Sequence, residues 1–270
     1  IVEGLRSIGV VVRGFEETTI RDRIRITVPP EPLQLDRLRR GFDAVVDPDA
    51  LLFDLDGVIA DVDRSYRSAI RETAVRFGAR IDDEAIDRVK RGGTANDDWE
   101  VTRRILRHEG IDVGIDEIVR VFQRLYLGDG LQPGLCDLET PLLDPRTLER
   151  LAGGRPIGVV TGRPRAEAIA FLERFRFDRV VATLVAREDA PLKPDPSGIS
   201  QALRSLDVAS AWFFGDTVDD MTAATREASG LVVPVGVTDD DSRTRLARAG
   251  AAWVVRRGEA MADLVAEVVS

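Results

Sequence analysis

The 270-residue sequence is short of three residue types that often carry chemistry: one cysteine (Cys136), one histidine (His108) and two lysines (Lys90 and Lys193). A single thiol excludes an internal disulfide and fits a reducing, cytoplasmic setting. A single histidine excludes a metal site built on paired imidazoles. His108 falls late in the charged run "RRILRHEG" and reads as a solvated helix end. No apolar run approaches the length of a membrane span. No charged-then-apolar stretch opens the chain, so a secretory signal is not expected. Positive charge is in deficit, with 38 Lys and Arg against 47 Asp and Glu and a net charge of −9. That balance argues against nucleic acid and anionic membrane as partners, and leaves room for a local basic pocket that takes a small anion. What is present, 44% apolar and 31% charged residues, describes a soluble globular protein of one large domain or two modest ones.

Residues 1–46 read as strand, loop, strand and helix. "IGVVVRGF" and "DRIRITV" are β-rich, "PPEP" breaks the chain, and Leu35, Leu38, Phe42 and Val45 recur at helical spacing. Residues 47–63 and 131–270 alternate short apolar strands with amphipathic helices. That pattern implies an α/β fold: a Rossmann-like, doubly wound parallel sheet with helices on both faces. Residues 64–130 interrupt it with four amphipathic helical runs and no strand, which reads as an inserted all-helical cap.

In open α/β sheets ligands bind beyond the carboxyl ends of the strands. "ALLF" ends in Asp54 and Asp56; "IGVV" ends in Thr161 and Gly162. The strand-and-loop "VVATLVAREDAPLKPDP" carries Lys193, and "AWFFG" ends in Asp216, Asp219 and Asp220. Clustered carboxylates suit a hard divalent cation, with magnesium the usual choice beside phosphate. A hydroxyl, exposed amides and one ammonium suit a phosphoryl group. A carboxylate at that group can act as nucleophile, and a second one can serve as acid and base.

"DLDGVIAD", "VVTGRP", "LKPDP" and "GDTVDD" resemble, in order and spacing, the four motifs of the haloacid dehalogenase-like hydrolases over about residues 50 to 240. The helical insert resembles the cap of the subfamily that includes phosphoglycolate phosphatase. The resemblance implies a Mg2+-dependent phosphatase acting on a small phosphorylated metabolite. It implies Asp54 as nucleophile and metal ligand, and Asp56 as acid/base with a metal-ligating carbonyl. Thr161 and the Gly162 amide would hold phosphate, and Lys193 would bridge nucleophile and phosphate. Asp216 would ligate the metal, and Asp220 would support its water shell or Lys193. The function of the Asp219 position varies across the superfamily. A phosphotransferase or mutase, and a catalytically idle interaction module, are the alternatives; a dehalogenase would lack the second aspartate that Asp56 supplies.

Arg163 and Arg165 read either as substrate contacts or as exposed arginines. Thr161 reads as a helix N-cap as well as a phosphate ligand. "GGTANDDWE" offers Asn96 as an N-cap or a substrate contact, with Asp97 and Asp98 in the first turn and Trp99 in the core. The first segment, with Arg25 in its "IRITV" strand, resembles the C-terminal end of histidinol-phosphate aminotransferases. Residues 1–50 have no lysine to form a Schiff base, so this segment is no working aminotransferase. The association points to histidinol phosphate as one substrate to consider.

Overall fold

The run Ala50–Phe53 has no polar residue on either side chain face, and all four of its residues are buried. Strands of this kind belong inside a parallel sheet covered on both faces. The computed structural model describes residues 1–10, 12–14, 24–26, 31–91, 97–239 and 241–269. Asn96 lies outside them.

The first segment consists of α1 (Val2–Ser7), β1 (Arg13–Gly14), β2 (Ile24–Arg25) and α2 (Pro32–Val46). β1 and β2 pair antiparallel, and Arg25 is exposed. The opening helix corrects the β-β-α reading of this segment. It lies ahead of the run "IGVVVRGF", inside which β1 forms, and is held by packing: Gly4 and Leu5 are buried, and a Cβ at Gly4 would lie 2.6 Å from the Trp253 ring. α2 is tied to the sheet by the Trp212 indole, which donates to the Ala44 carbonyl at 3.2 Å. Residues 1–46 therefore cluster with the sheet and do not stand as a separate body.

β3 (Ala50–Phe53) is followed by β4 (Ala60–Asp61), then α3 (Tyr66–Arg76), α4 (Asp83–Arg91), α5 (Asp98–His108), α6 (Ile115–Leu127) and β5 (Thr140–Pro141). The remainder alternates: α7 (Pro145–Ala152), β6 (Ile157–Val160), α8 (Arg165–Arg174), β7 (Val181–Val185), α9 (Ser197–Leu206), β8 (Ala211–Gly215), α10 (Val218–Arg226), β9 (Val232–Val237), α11 (Arg243–Arg248), β10 (Trp253–Val255) and α12 (Glu259–Val268). Six strands form one sheet in the order β10-β9-β8-β3-β6-β7, every pair parallel. β3 is central. The chain leaves it toward β6 and β7, then returns to its other side at β8. Strand order thus reverses around β3, where α/β sheets open a crevice at their carboxyl edge. Below that edge Phe53 stacks on Phe214 at 4.8 Å, and Trp212 packs against Trp253 at 4.9 Å.

The chain divides into two compact units, residues 1–58 with 143–270, and residues 59–142. The second is wider than the 64–130 read from helix patterning, because β4 and β5, on either side of the helices, pair with each other. Its apolar core joins Ile70, Val101, Ile105, Ile118 and Phe122, with Trp99 and Cys136 packed against it. The α5 cap is Asp97, whose carboxylate accepts from the Glu100 amide at 3.2 Å; the sequence had offered Asn96, one residue earlier. Lys90 pairs with Asp98 at 2.9 Å. Within this unit the buried Glu139 accepts from Ser65 at 2.7 Å and from Tyr126 at 3.0 Å. No helix among the described residues is long and apolar enough to cross a membrane.

Candidate active site

Four strand ends bring their polar residues to one place at the carboxyl edge of the sheet. The Asp54 amide continues the β3–β8 ladder by donating to the Phe214 carbonyl at 2.8 Å. The Thr161 amide continues β6–β7 by donating to the Val185 carbonyl at 2.9 Å. Pairing sets where these backbones stop, so the side chains beyond them meet. The Lys193 ammonium, which carries three N–H donors, reaches Asp54 Oδ1 at 2.7 Å, Asp220 Oδ1 at 2.6 Å and the Val160 carbonyl at 3.2 Å. All three of these side chains are buried.

Asp220 is committed twice. Its second oxygen accepts from the Thr217 amide at 2.9 Å and the Thr217 hydroxyl at 2.6 Å, while Thr217 Oγ1 accepts from the Asp220 amide. This reciprocal capping box starts α10 and fixes the carboxylate's direction. Gly215 makes room for it, since a Cβ there would lie 2.7 Å from Asp220 Cγ. Of the two roles the sequence allowed Asp220, the geometry favours support of Lys193.

Carboxylate oxygens of Asp54, Asp216 and Asp220 all lie within 4.8 Å of one another. An all-oxygen donor set of this kind fits a hard divalent cation such as magnesium. Lys193 serves the two buried carboxylates of Asp54 and Asp220, while the half-buried Asp216 faces Arg257. Burial pushes Asp54 well above the usual carboxylate range; Lys193 pulls it down, while Asp220, Asp56 and Asp216 push it further up. Burial also opposes the charge on Lys193, but Asp220 and Asp54 more than offset that and hold it above lysine's ordinary value.

Asp216 is held close by its surroundings. Gly57 sits at φ +73°, and a Cβ there would lie 2.7 Å from Asp216 Cγ. Glycine is required twice over, for the left-handed backbone and for the approach of the carboxylate. Gly57→Ala should therefore strain the loop by about 1–2 kcal/mol and displace Asp216. The expected result is at least a roughly tenfold rise in the magnesium concentration that half-saturates thermal stabilisation; an unchanged titration would show that the loop does not set the ligand.

Asp56 turns to Arg163, whose Nε donates to its Oδ1 at 2.6 Å. Arg163 is 2% exposed, with its guanidinium 5.3 Å over the Phe171 ring. This corrects the reading of Arg163 as an exposed arginine. Its charge-assisted bond to the Asp56 carboxylate orients Asp56. Arg165 pairs with Asp189. Thr161 is not the cap of α8, which begins after Pro164; its hydroxyl accepts from the Arg163 amide at 3.1 Å, and the partly exposed Gly162 lies between them. Asp219 is buried in the first turn of α10.

One residue escaped sequence reading. Arg257 follows β10, and its Nε donates to the Gly57 carbonyl at 2.6 Å. Its other nitrogens lie 3.7 Å from Asp216 and 3.5 Å from Asp239. No local pattern marks it, since it arrives from the far edge of the sheet.

The family model for haloacid dehalogenase-like hydrolases matches residues 48–226. A Phytophthora nicotianae protein named imidazoleglycerol-phosphate dehydratase is 39% identical over 197 residues, which is 68% of this chain and 43% of that protein. The chain thus spans less than half the length of that relative. Fructose-1-phosphate phosphatase YqaB of Escherichia coli (strain K12) is 30% identical over 139 residues, 49% of this chain and 68% of that protein. Among solved structures, phosphatase Tt82 from Thermococcus thioreducens is 28% identical with a TM-score of 0.58, over 74% of this chain and 98% of that one.

Proposed function

Because the chain belongs to the haloacid dehalogenase-like hydrolases, we propose that it is a magnesium-dependent phosphatase that releases phosphate from a small phosphorylated metabolite. The observation that carries this reading is the buried Lys193, bonded at once to Asp54 and Asp220, with the Asp216 carboxylate within cation-sharing distance.

In this reading an Asp54 oxygen attacks phosphorus, and the bond from phosphorus to the leaving oxygen breaks. Asp56 gives its proton to that oxygen. Water then attacks the aspartyl-phosphate, Asp56 takes the water's proton, and the bond from phosphorus to Asp54 breaks to give inorganic phosphate. The Thr161 hydroxyl and the Gly162 amide orient the phosphoryl oxygens. Lys193 offsets charge that builds on them. Asp54, Asp216 and the Asp56 carbonyl would hold magnesium, which, when bound, offsets further negative charge. Asp220 keeps Lys193 in place.

For substrate, we propose histidinol phosphate as the first compound to test. Two observations support it. The first segment resembles the end of aminotransferases that make histidinol phosphate, and the 39%-identical relative is named imidazoleglycerol-phosphate dehydratase. The test is phosphate release from a panel of histidinol phosphate, phosphoglycolate, fructose 1-phosphate, other sugar phosphates and nucleotides, with magnesium and with chelator. Magnesium-dependent release from at least one compound is expected. Release that ignores the chelator, or none from any compound, would sink the phosphatase reading.

A further inference from the structure

Arg257 lies outside the residues matched by the family model and on the opposite side of the sheet centre from most of the site. Its position is nevertheless tightly specified. The Thr238 amide donates to the Val255 carbonyl at 2.9 Å, which aligns the ends of β9 and β10. The Arg257 amide then donates to Asp239 Oδ1 at 3.3 Å. From that anchor the side chain crosses the end of β8 to the loop that follows β3. It bonds the Gly57 carbonyl at 2.6 Å and lies 3.7 Å from Asp216 Oδ2. One planar guanidinium thus faces a carbonyl and two carboxylates, Asp216 and Asp239, as a fork can and a point charge cannot.

We infer that Arg257 is a positioning residue for the divalent cation: it fixes the Gly57 loop and thereby holds Asp216 in its ligating orientation. The inference rests on the proposed cation site. A Cβ on Gly57 would lie 2.7 Å from Asp216 Cγ, so a shift of the loop toward Asp216 would displace the carboxylate. Two effects oppose each other when Arg257 is removed. Loss of a positive charge strengthens attraction for any cation, while loss of the brace loosens the ligand. The guanidinium is 30% exposed, so water screens the charge effect, and geometry dominates. Magnesium demands near-ideal octahedral geometry, whereas calcium accepts irregular shells. Removing the brace must therefore hurt magnesium more than calcium.

The experiment titrates the full chain with magnesium chloride and, separately, calcium chloride, reading melting temperature without any substrate. Wild type, Asp216→Asn, Arg257→Gln and Arg257→Lys are compared. Arg257→Gln is expected to raise the half-saturating magnesium concentration about tenfold or more, and that for calcium by less than about threefold. Arg257→Lys, which keeps the charge and loses the fork, should follow the same direction, and carries the test if the glutamine variant fails to fold. Equal shifts for both metals, tighter magnesium binding, or a lysine variant indistinguishable from wild type would overturn the positioning role. If wild type itself shows no magnesium shift that Asp216→Asn abolishes, the proposed cation site fails, and this inference with it.

Discussion

Asp54→Asn should lower phosphate release by on the order of 10⁴-fold or more while the chain stays folded. The amide keeps the shape of the carboxyl group but is no nucleophile. Its effect on stability has a sign that can be worked out. Burial, joined by Asp220, Asp56 and Asp216, raises Asp54 above its unfolded value against the pull of Lys193. A group raised in this way contributes stability that is full below the unfolded value of about 3.9 and is lost as pH rises through the folded value. Asparagine has no such dependence. Without metal, the melting temperature of Asp54→Asn relative to wild type should climb as pH rises from about 4. With magnesium the order should reverse, because a cation needs an ionised ligand. Thermal melts across pH, with and without magnesium, would check both halves; parallel metal-free curves would mean that Asp54 is not raised. Wild-type turnover in Asp54→Asn would remove it as the nucleophile.

Lys193→Met should do the opposite to the fold. Lys193 is the shared partner of two buried carboxylates, and its removal leaves both without an ammonium. Stripping one partner from a buried ion pair typically costs about 3–5 kcal/mol. For a chain of this size that is a fall of roughly 10 °C in melting temperature. The loss should shrink at acid pH, where a carboxyl group can take up a proton, and should be partly offset by magnesium. Phosphate release should fall as well, by roughly 10²–10³-fold or more, since the charge that faces the phosphoryl oxygens is gone. Melting curves of wild type, Lys193→Met and the double variant Lys193→Met/Asp54→Asn decide the cause. If repulsion between bare carboxylates drives the loss, the double variant recovers part of it. If the double variant is no more stable than Lys193→Met, lost packing is responsible instead.

Strands were the legible part of this fold. β3, β6 and β8 each close a continuous apolar run with a polar residue, Lys193 follows β7 in its loop, and a parallel sheet aligns such ends at one edge. That is why the sequence alone groups Asp54, Thr161, Lys193 and Asp216. The four helices of the inserted unit were equally plain from their apolar spacing, supported in α4, α5 and α6 by acidic first turns. What the sequence hid was decided by distant partners. α1 forms just ahead of the β-rich run "IGVVVRGF", where Gly4 and Leu5 find a buried surface near Trp253. Arg163 looks solvent-facing in "TGRPR" and is turned inward by Asp56. Arg257 reaches a loop 200 residues away in sequence. Thr161 and Asp97 show a smaller limit: a hydroxyl or carboxylate near a helix start signals a cap, but not which residue takes it.

The pairing of Ala60 with Pro141 and of Asp61 with Thr140 has a consequence for how this chain could have been assembled. The helical unit departs and returns through strands that lie side by side, so its two ends are separated by the width of one β-ladder, about 5 Å. For loop-closure entropy the sheet meets a gap the size of a tight turn, whatever is strung across it. Such a junction accepts exchange. Helical units of other lengths could be inherited in its place without disturbing strand register.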